Sequence, residues 1–156
     1  MQPDIGINAQ NRERVLDSLG QVLADTYALY AKTHAYHWNV TGPQFPALHA
    51  MFEAQYTELW EALDDLAERM RALGAFAPGP EDVARRAQIV PDNGQAGARQ
   101  MVLNLLQGHE TLAKMLHAGV EAATEAGDDG TADLLTDKLR YSEKAAWMLR
   151  ATAEDA

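Results

Sequence analysis

Apolar residues recur at steps of three and four along this chain. That is the repeat of an α-helix with one buried face, and it limits the fold to helices packed on helices. Leu16, Leu19, Leu23, Tyr27 and Tyr30 make the first stripe, which His34 and His37 continue. The stripe marks a helix over about residues 8–39. Gly42, Pro43 and Pro46 break that helix and start another, because proline is tolerated in a first helical turn. The second stripe is Phe45, Leu48, Phe52, Tyr56, Leu59, Leu63, Leu66, Met70 and Leu73, and Gly74 supplies a stop. It marks a helix over about residues 46–73.

The next stretch, "AFAPGPEDVARRAQIVPDNG", is too long for a helical hairpin and is expected to carry a short helix over about residues 81–87. A third long segment, over about residues 95–126, holds Met101, Leu105, Leu112, Met115 and Leu116. "GDDGT" ends it, and Thr131 is the expected cap of a fourth, with Leu134, Leu135, Leu139 and Trp147. Four long helices with one long central connection predict an all-α four-helix bundle of the crossover type. The 156 residues fit one domain, 1–156, with short flexible tails at 1–8 and 152–156.

Composition narrows the chemistry. With no cysteine there is no disulfide framework and no thiol catalysis. "MQPDIGINAQNRER" lacks the apolar run of a signal peptide, and no stretch is apolar enough to span a bilayer, so a cytoplasmic location is expected. A formal charge of −10 argues against nucleic-acid binding by the whole surface and suits attraction of cations.

Three of the five histidines, His34, His37 and His49, crowd around the Gly42–Pro43 turn. Beside the core stripe of the second segment runs another: His49, Glu53, Asp64 and Glu68. His49 and Glu53 are four apart, as are Asp64 and Glu68, so each pair shares a helical face. The fifteen residues from His49 to Asp64 rotate to within about 60° of one another but span about 22 Å along the axis. Metal ligands must lie about 2 Å from their ion. One straight helix therefore cannot bring both pairs to one ion, whereas a two-fold axis across the segment would set His49 and Glu53 of one copy against Asp64 and Glu68 of another. His37, across the turn, would join His49. Imidazole with carboxylate suits iron, manganese or zinc. Spacing alone leaves open the other reading, a solvated acidic face beside core histidines.

The run from His37 to Gly74, "HWNVTGPQFPALHAMFEAQYTELWEALDDLAERMRALG", resembles the signature of the Dps proteins, the miniature ferritins named as DNA-binding proteins from starved cells. The pattern is His-Trp-Asn, a Gly, Phe-x-x-Leu-His, then Asp-x-x-Ala-Glu-Arg. "EKAAWMLRA", 143–151, resembles the last helix of that family. The resemblance implies a ferritin-like four-helix bundle, a long crossover with a short helix between the second and third long helices, and assembly into a hollow dodecamer. It implies a ferroxidase that oxidises Fe(II), usually with hydrogen peroxide, otherwise with dioxygen, and stores ferric mineral in protection against oxidative stress. Zinc or manganese would suit the same site.

By motif match the ligands fall on His37, His49, Asp64 and Glu68, in sites between two subunits. Glu53 falls where the family often has Asp, one methylene shorter. His34 lies outside the signature and is an additional ligand, a proton acceptor or a core residue. In the family an acidic pore forms near the start of the last helix, around three-fold axes, where this chain has Asp128, Asp133 and Asp137. Acidic residues there also favour the helix dipole without any pore. The alternative function is compaction of DNA. It is disfavoured because "MQPDIGINAQ" and "ATAEDA" carry no Lys or Arg to neutralise phosphates.

Overall fold

The computed structural model describes residues 2–154. Its elements are α1 (Ala9–Asn39), α2 (Phe45–Ala72), α3 (Pro80–Arg86), α4 (Ala98–Glu125) and α5 (Asp129–Ala153), with no strand among the described residues. The four long helices lie where the apolar repeat puts them, and the short one lies in the connection expected to carry it. Residues 152 and 153, expected in a tail, are the last of α5, and Asp155 and Ala156 fall outside the described residues.

α1 and α2 are antiparallel: Tyr36 meets Phe52 with ring centroids 6.5 Å apart, and Tyr30 meets Trp60 at 5.3 Å. α4 runs antiparallel to α1, since Asn104 donates to the Tyr36 hydroxyl at 2.7 Å while Asn11 donates to the Ala126 carbonyl at 3.4 Å. The helices approach closely there because Gly108 has no side chain; a Cβ would sit 2.5 Å from Leu29 Cδ1. α5 returns antiparallel to α4, with Arg99 reaching the Ala153 carbonyl. α2 and α4 therefore point the same way, and the chain between them must travel back along the bundle, about 42 Å for a helix the length of α2.

Polar groups pin that crossover. Buried Asp25 accepts from the backbone amides of Gln88 at 2.7 Å and Ile89 at 2.9 Å, and from Gln21 Nε2 at 2.7 Å. Further along, Asp92 accepts from the Tyr36 hydroxyl and caps the Gly94 amide. Burial, together with the Asp92 carboxylate, pushes the Tyr36 phenol up to about 12.

The core is built from Val15, Leu19, Leu29, Leu48, Phe52, Leu66, Leu105, Leu116, Leu135 and Leu149, with others packed around them. Tyr27, Phe45 and Trp147, read as members of apolar stripes, stay on the surface of the single chain. Phe45 is the first residue of α2, and Trp147 lies about 120° round α5 from buried Leu135. The cap of α5 also differs from expectation: Asp128 is the N-cap and accepts from the Thr131 amide at 3.0 Å. A carboxylate reaches the open amides of a first turn as well as a hydroxyl does.

One histidine lies wholly in the core. His109 Nδ1 is 3.0 Å from Ser142 Oγ, and burial lowers its pKa to about 3. Unfolding releases the ring to an ordinary value near 6.5. Between those two pH values the unfolded chain binds a proton that the folded chain refuses, so stability should fall as pH drops through that window and stay level above it. Thermal midpoints measured for His109→Asn should fall less steeply than wild type between pH 6.5 and 4. An unchanged slope would show that the ring does not carry the effect.

Candidate metal half-sites

α1 ends where Val40 turns extended, and Gly42, at φ +109°, reverses the chain in a conformation that side chains disfavour. The Phe45 amide closes this turn on the Gly42 carbonyl, and Pro46 sits in the first turn of α2. The reversal brings the last turn of α1 against the first two turns of α2. His37 Nδ1 lies 2.9 Å from the His49 carbonyl, and His49 Nδ1 lies 2.8 Å from the His37 carbonyl. The imidazoles stack, 3.8 Å between centroids at 18°.

A carbonyl oxygen can only accept, so each Nδ1 carries its hydrogen and each Nε2 of the neutral ring is left as a lone pair. The His37 carbonyl belongs to the last turn of α1, where backbone acceptors lack helical partners, and the His49 ring supplies one. A ring held by one nitrogen so that the other can donate to a metal is the arrangement of metal-binding histidines. His37 is 9% exposed and His49 is half-buried.

An aromatic array backs the pair. Tyr56 meets His37 edge-on at 5.1 Å and stacks on His34 at 4.2 Å. His34 also contacts Trp38 at 4.1 Å, and its Nδ1 lies 3.2 Å from the Tyr30 hydroxyl. Burial, then the neighbouring His37, lowers the His34 pKa. His34 is thus packed among aromatic rings. Trp38 and Trp60, 64% and 56% exposed, leave much of their indole surface open on the single chain.

Glu53, Asp64 and Glu68 are exposed, with none of them buried against another element. Among the described residues no three His, Asp or Glu side chains converge on a point that could hold an ion. The chain presents two separated groups of candidate ligands: imidazoles with Glu53 near the start of α2, and Asp64 with Glu68 near its end.

Asp128, expected in a pore, is 2% exposed and already engaged. Besides capping α5 it accepts from Arg69 Nη2 at 2.6 Å and from Thr131 Oγ1 at 2.6 Å. A carboxylate satisfied by these groups cannot also face passing ions. Asp133 and Asp137 remain exposed on the following turns. Sequence reasoning missed the Arg69 contact, although Asp-x-x-Thr at 128–131 is a capping pattern that marks Asp128 as structural.

The all-helical crossover bundle is of the ferritin-like class, and a ferritin-like domain profile matches residues 16–156. A crystal structure of the Dps protein of Vibrio cholerae, described as belonging to a superfamily of ferritin-like diiron-carboxylate proteins, superposes with a TM-score of 0.93 at 33% identity, covering 98% of this chain and 97% of that one. DNA protection during starvation protein 2 of Bacillus anthracis is 35% identical over 89% of this chain and 96% of its own length. A low temperature-induced protein of Nostoc sp. is 42% identical over 97% of this chain and 86% of its own. The chain belongs to the Dps family of miniature ferritins.

The tautomers are directly observable. Nitrogen-15 NMR of histidine-labelled protein should show His37 and His49 protonated at Nδ1 in their neutral forms. Protonation at Nε2 in either ring would contradict the reciprocal bonding.

Proposed function

We propose that this protein is a ferroxidase-type mini-ferritin. In this reading it oxidises Fe(II) with hydrogen peroxide or dioxygen at sites shared by two subunits, and it stores the ferric product in a hollow cytoplasmic dodecamer that protects against oxidative stress. The observation that carries the reading is the locked pair of imidazoles with free Nε2 atoms, one of them on the same helix as two exposed carboxylates that the pair cannot reach. Family membership supports the same reading.

Fe(II) is the substrate. His37 and His49 of one subunit would hold it with Asp64 and Glu68 of another, and Glu53 adds an acidic side chain one turn beyond His49. Carboxylates favour the higher charge of Fe(III), and neutral imidazoles keep the site open to cations. Two Fe(II) ions give one electron each to one peroxide. Its O–O bond breaks, two protons are taken up and two waters form, so no one-electron oxygen radical is released. His34, occupied by Tyr30, Tyr56 and Trp38, would orient and desolvate the histidine half from outside the ligand set. Zinc or manganese would find the same nitrogen and oxygen donors.

Two-fold contacts at the half-sites and three-fold contacts around the start of α5 together permit a closed shell of twelve chains. In that shell Asp133 and Asp137 would ring a pore for iron, each charge tripled by symmetry, without Asp128. Anaerobic loading with Fe(II) followed by peroxide should give ferric absorbance, consume one peroxide per two irons, and leave the iron soluble in a dodecamer. His37→Ala with His49→Ala should slow the initial oxidation by at least about tenfold, the usual scale for lost metal ligands or their partners. Asp133→Asn should slow uptake only at low iron. A double histidine variant that oxidises iron at the wild-type rate would defeat the proposal.

Compaction of DNA is the competing function, suggested by the name of the Bacillus anthracis relative. The chain's net charge of −10 opposes it. Gel retardation should be absent at neutral pH even at low salt with a chelator present. A tight retarded band would reverse the order of the two readings.

A further inference from the structure

The residue that follows each exposed carboxylate of the second half-site is clamped to α5. Asp65, next to Asp64, receives Lys138 Nζ at 2.6 Å. Arg69, next to Glu68, spans Asp128 and Thr131: Nη2 donates to Asp128 Oδ1 at 2.6 Å and Nε to Thr131 Oγ1 at 2.8 Å. Room for that guanidinium exists because residue 130 is glycine, where a Cβ would stand 3.1 Å from Arg69 Nη2. Asp65 and Arg69 are themselves four apart. They form one stripe, turned about 100° round α2 from the stripe of Asp64 and Glu68.

Elsewhere α2 and α5 touch little. The apolar face of α2, with Leu63, Leu66 and Met70, holds it to the core, but such contacts are not directional. The clamps are directional, and both meet α5 within its first turns and cap.

We propose that Lys138 and Arg69 are positioning residues that set the rotation of the last turns of α2, and so the aim of Asp64 and Glu68. The proposal rests on the reading of those two carboxylates as metal ligands. It also makes the start of α5, where Asp133 and Asp137 stand, one rigid unit with the carboxylate half-site.

Charge and position predict opposite signs, which makes Lys138 the informative residue. Lys138 lies between Asp65 and, at 3.7 Å, Asp137. If it acted only through its charge, Lys138→Met would remove a cation near the site and tighten the binding of a divalent metal. If it positions α2, the same change weakens binding.

The test is anaerobic titration of the intact assembly with Co(II), read by visible absorbance. Lys138→Met should weaken the affinity by up to about fivefold, the most that a half-exposed ion pair supports. Asp65→Asn should weaken it similarly, the double variant should be no weaker than either single one, and Lys138→Arg should restore it. Arg69→Lys, which keeps the charge but cannot span both partners, should weaken it by about tenfold or more. Arg150→Met, which breaks an ion pair with Glu110 on the α4–α5 face, is the control and should change nothing. Tighter or unchanged binding in Lys138→Met, with Asp64→Asn abolishing binding, overturns the positioning role and leaves the ligand assignment standing. Unchanged binding in Asp64→Asn removes the ligand assignment, and the positioning role falls with it.

Discussion

Two reciprocal hydrogen bonds between His37 and His49 fix the geometry on which the proposed metal chemistry depends. Each contributes about 1 kcal/mol to stability, and the stacked rings add a similar amount. Their larger effect is on geometry. They tie the end of α1 to the start of α2 across a turn that only Gly42 makes easily, and they settle which nitrogen of each ring is free. The open carbonyl of a helix end thereby becomes the device that prepares an imidazole to donate.

The same economy runs through the bundle. Because α2 and α4 are parallel, the connection between them must cross the bundle's length, exposing backbone that needs partners. Asp25 supplies two acceptor contacts to that backbone, and Tyr36 fastens it again through Asp92. Tyr36 precedes His37 in α1, so the residues that hold the crossover and those that hold the imidazole pair alternate along one helix turn. At the other end of α2 the acids Asp64 and Glu68 alternate with Asp65 and Arg69, which face α5. Adjacent residues about 100° apart thus serve the bundle and its exterior separately.

Helix number, the short central helix and the break at Gly42–Pro43 were legible because periodicity and proline act locally. The separation of His49 and Glu53 from Asp64 and Glu68 was legible too, since it follows from the rise of a helix. The details of facing were not. Tyr27, Phe45 and Trp147 were read into apolar stripes yet stay exposed, because spacing along one helix does not tell how far its neighbours cover it. The cap passed from Thr131 to Asp128, and with it a carboxylate left the expected pore, because its partner Arg69 is distant in sequence. His109 is the exception: four residues after Leu105 and three before Leu112, its spacing puts it on the buried stripe. The reciprocal bonding of His37 and His49 required the turn in three dimensions, although a spacing of twelve across a Gly-Pro break was its trace in the sequence.

In the proposed assembly the site is completed only between two copies, and mixed assemblies separate that arrangement from a site built within one chain. One variant carries His37→Ala and His49→Ala; the other carries Asp64→Ala and Glu68→Ala. Each alone should lose rapid Fe(II) oxidation at low iron loading. Co-expressed with different tags and purified for both, they should recover it, because in a mixed two-fold pair one site combines intact imidazoles with intact carboxylates. Random pairing makes about half the pairs mixed and restores about a quarter of the sites. No recovery in confirmed mixed assemblies would show that each chain builds its own site and would rule out one shared by two subunits.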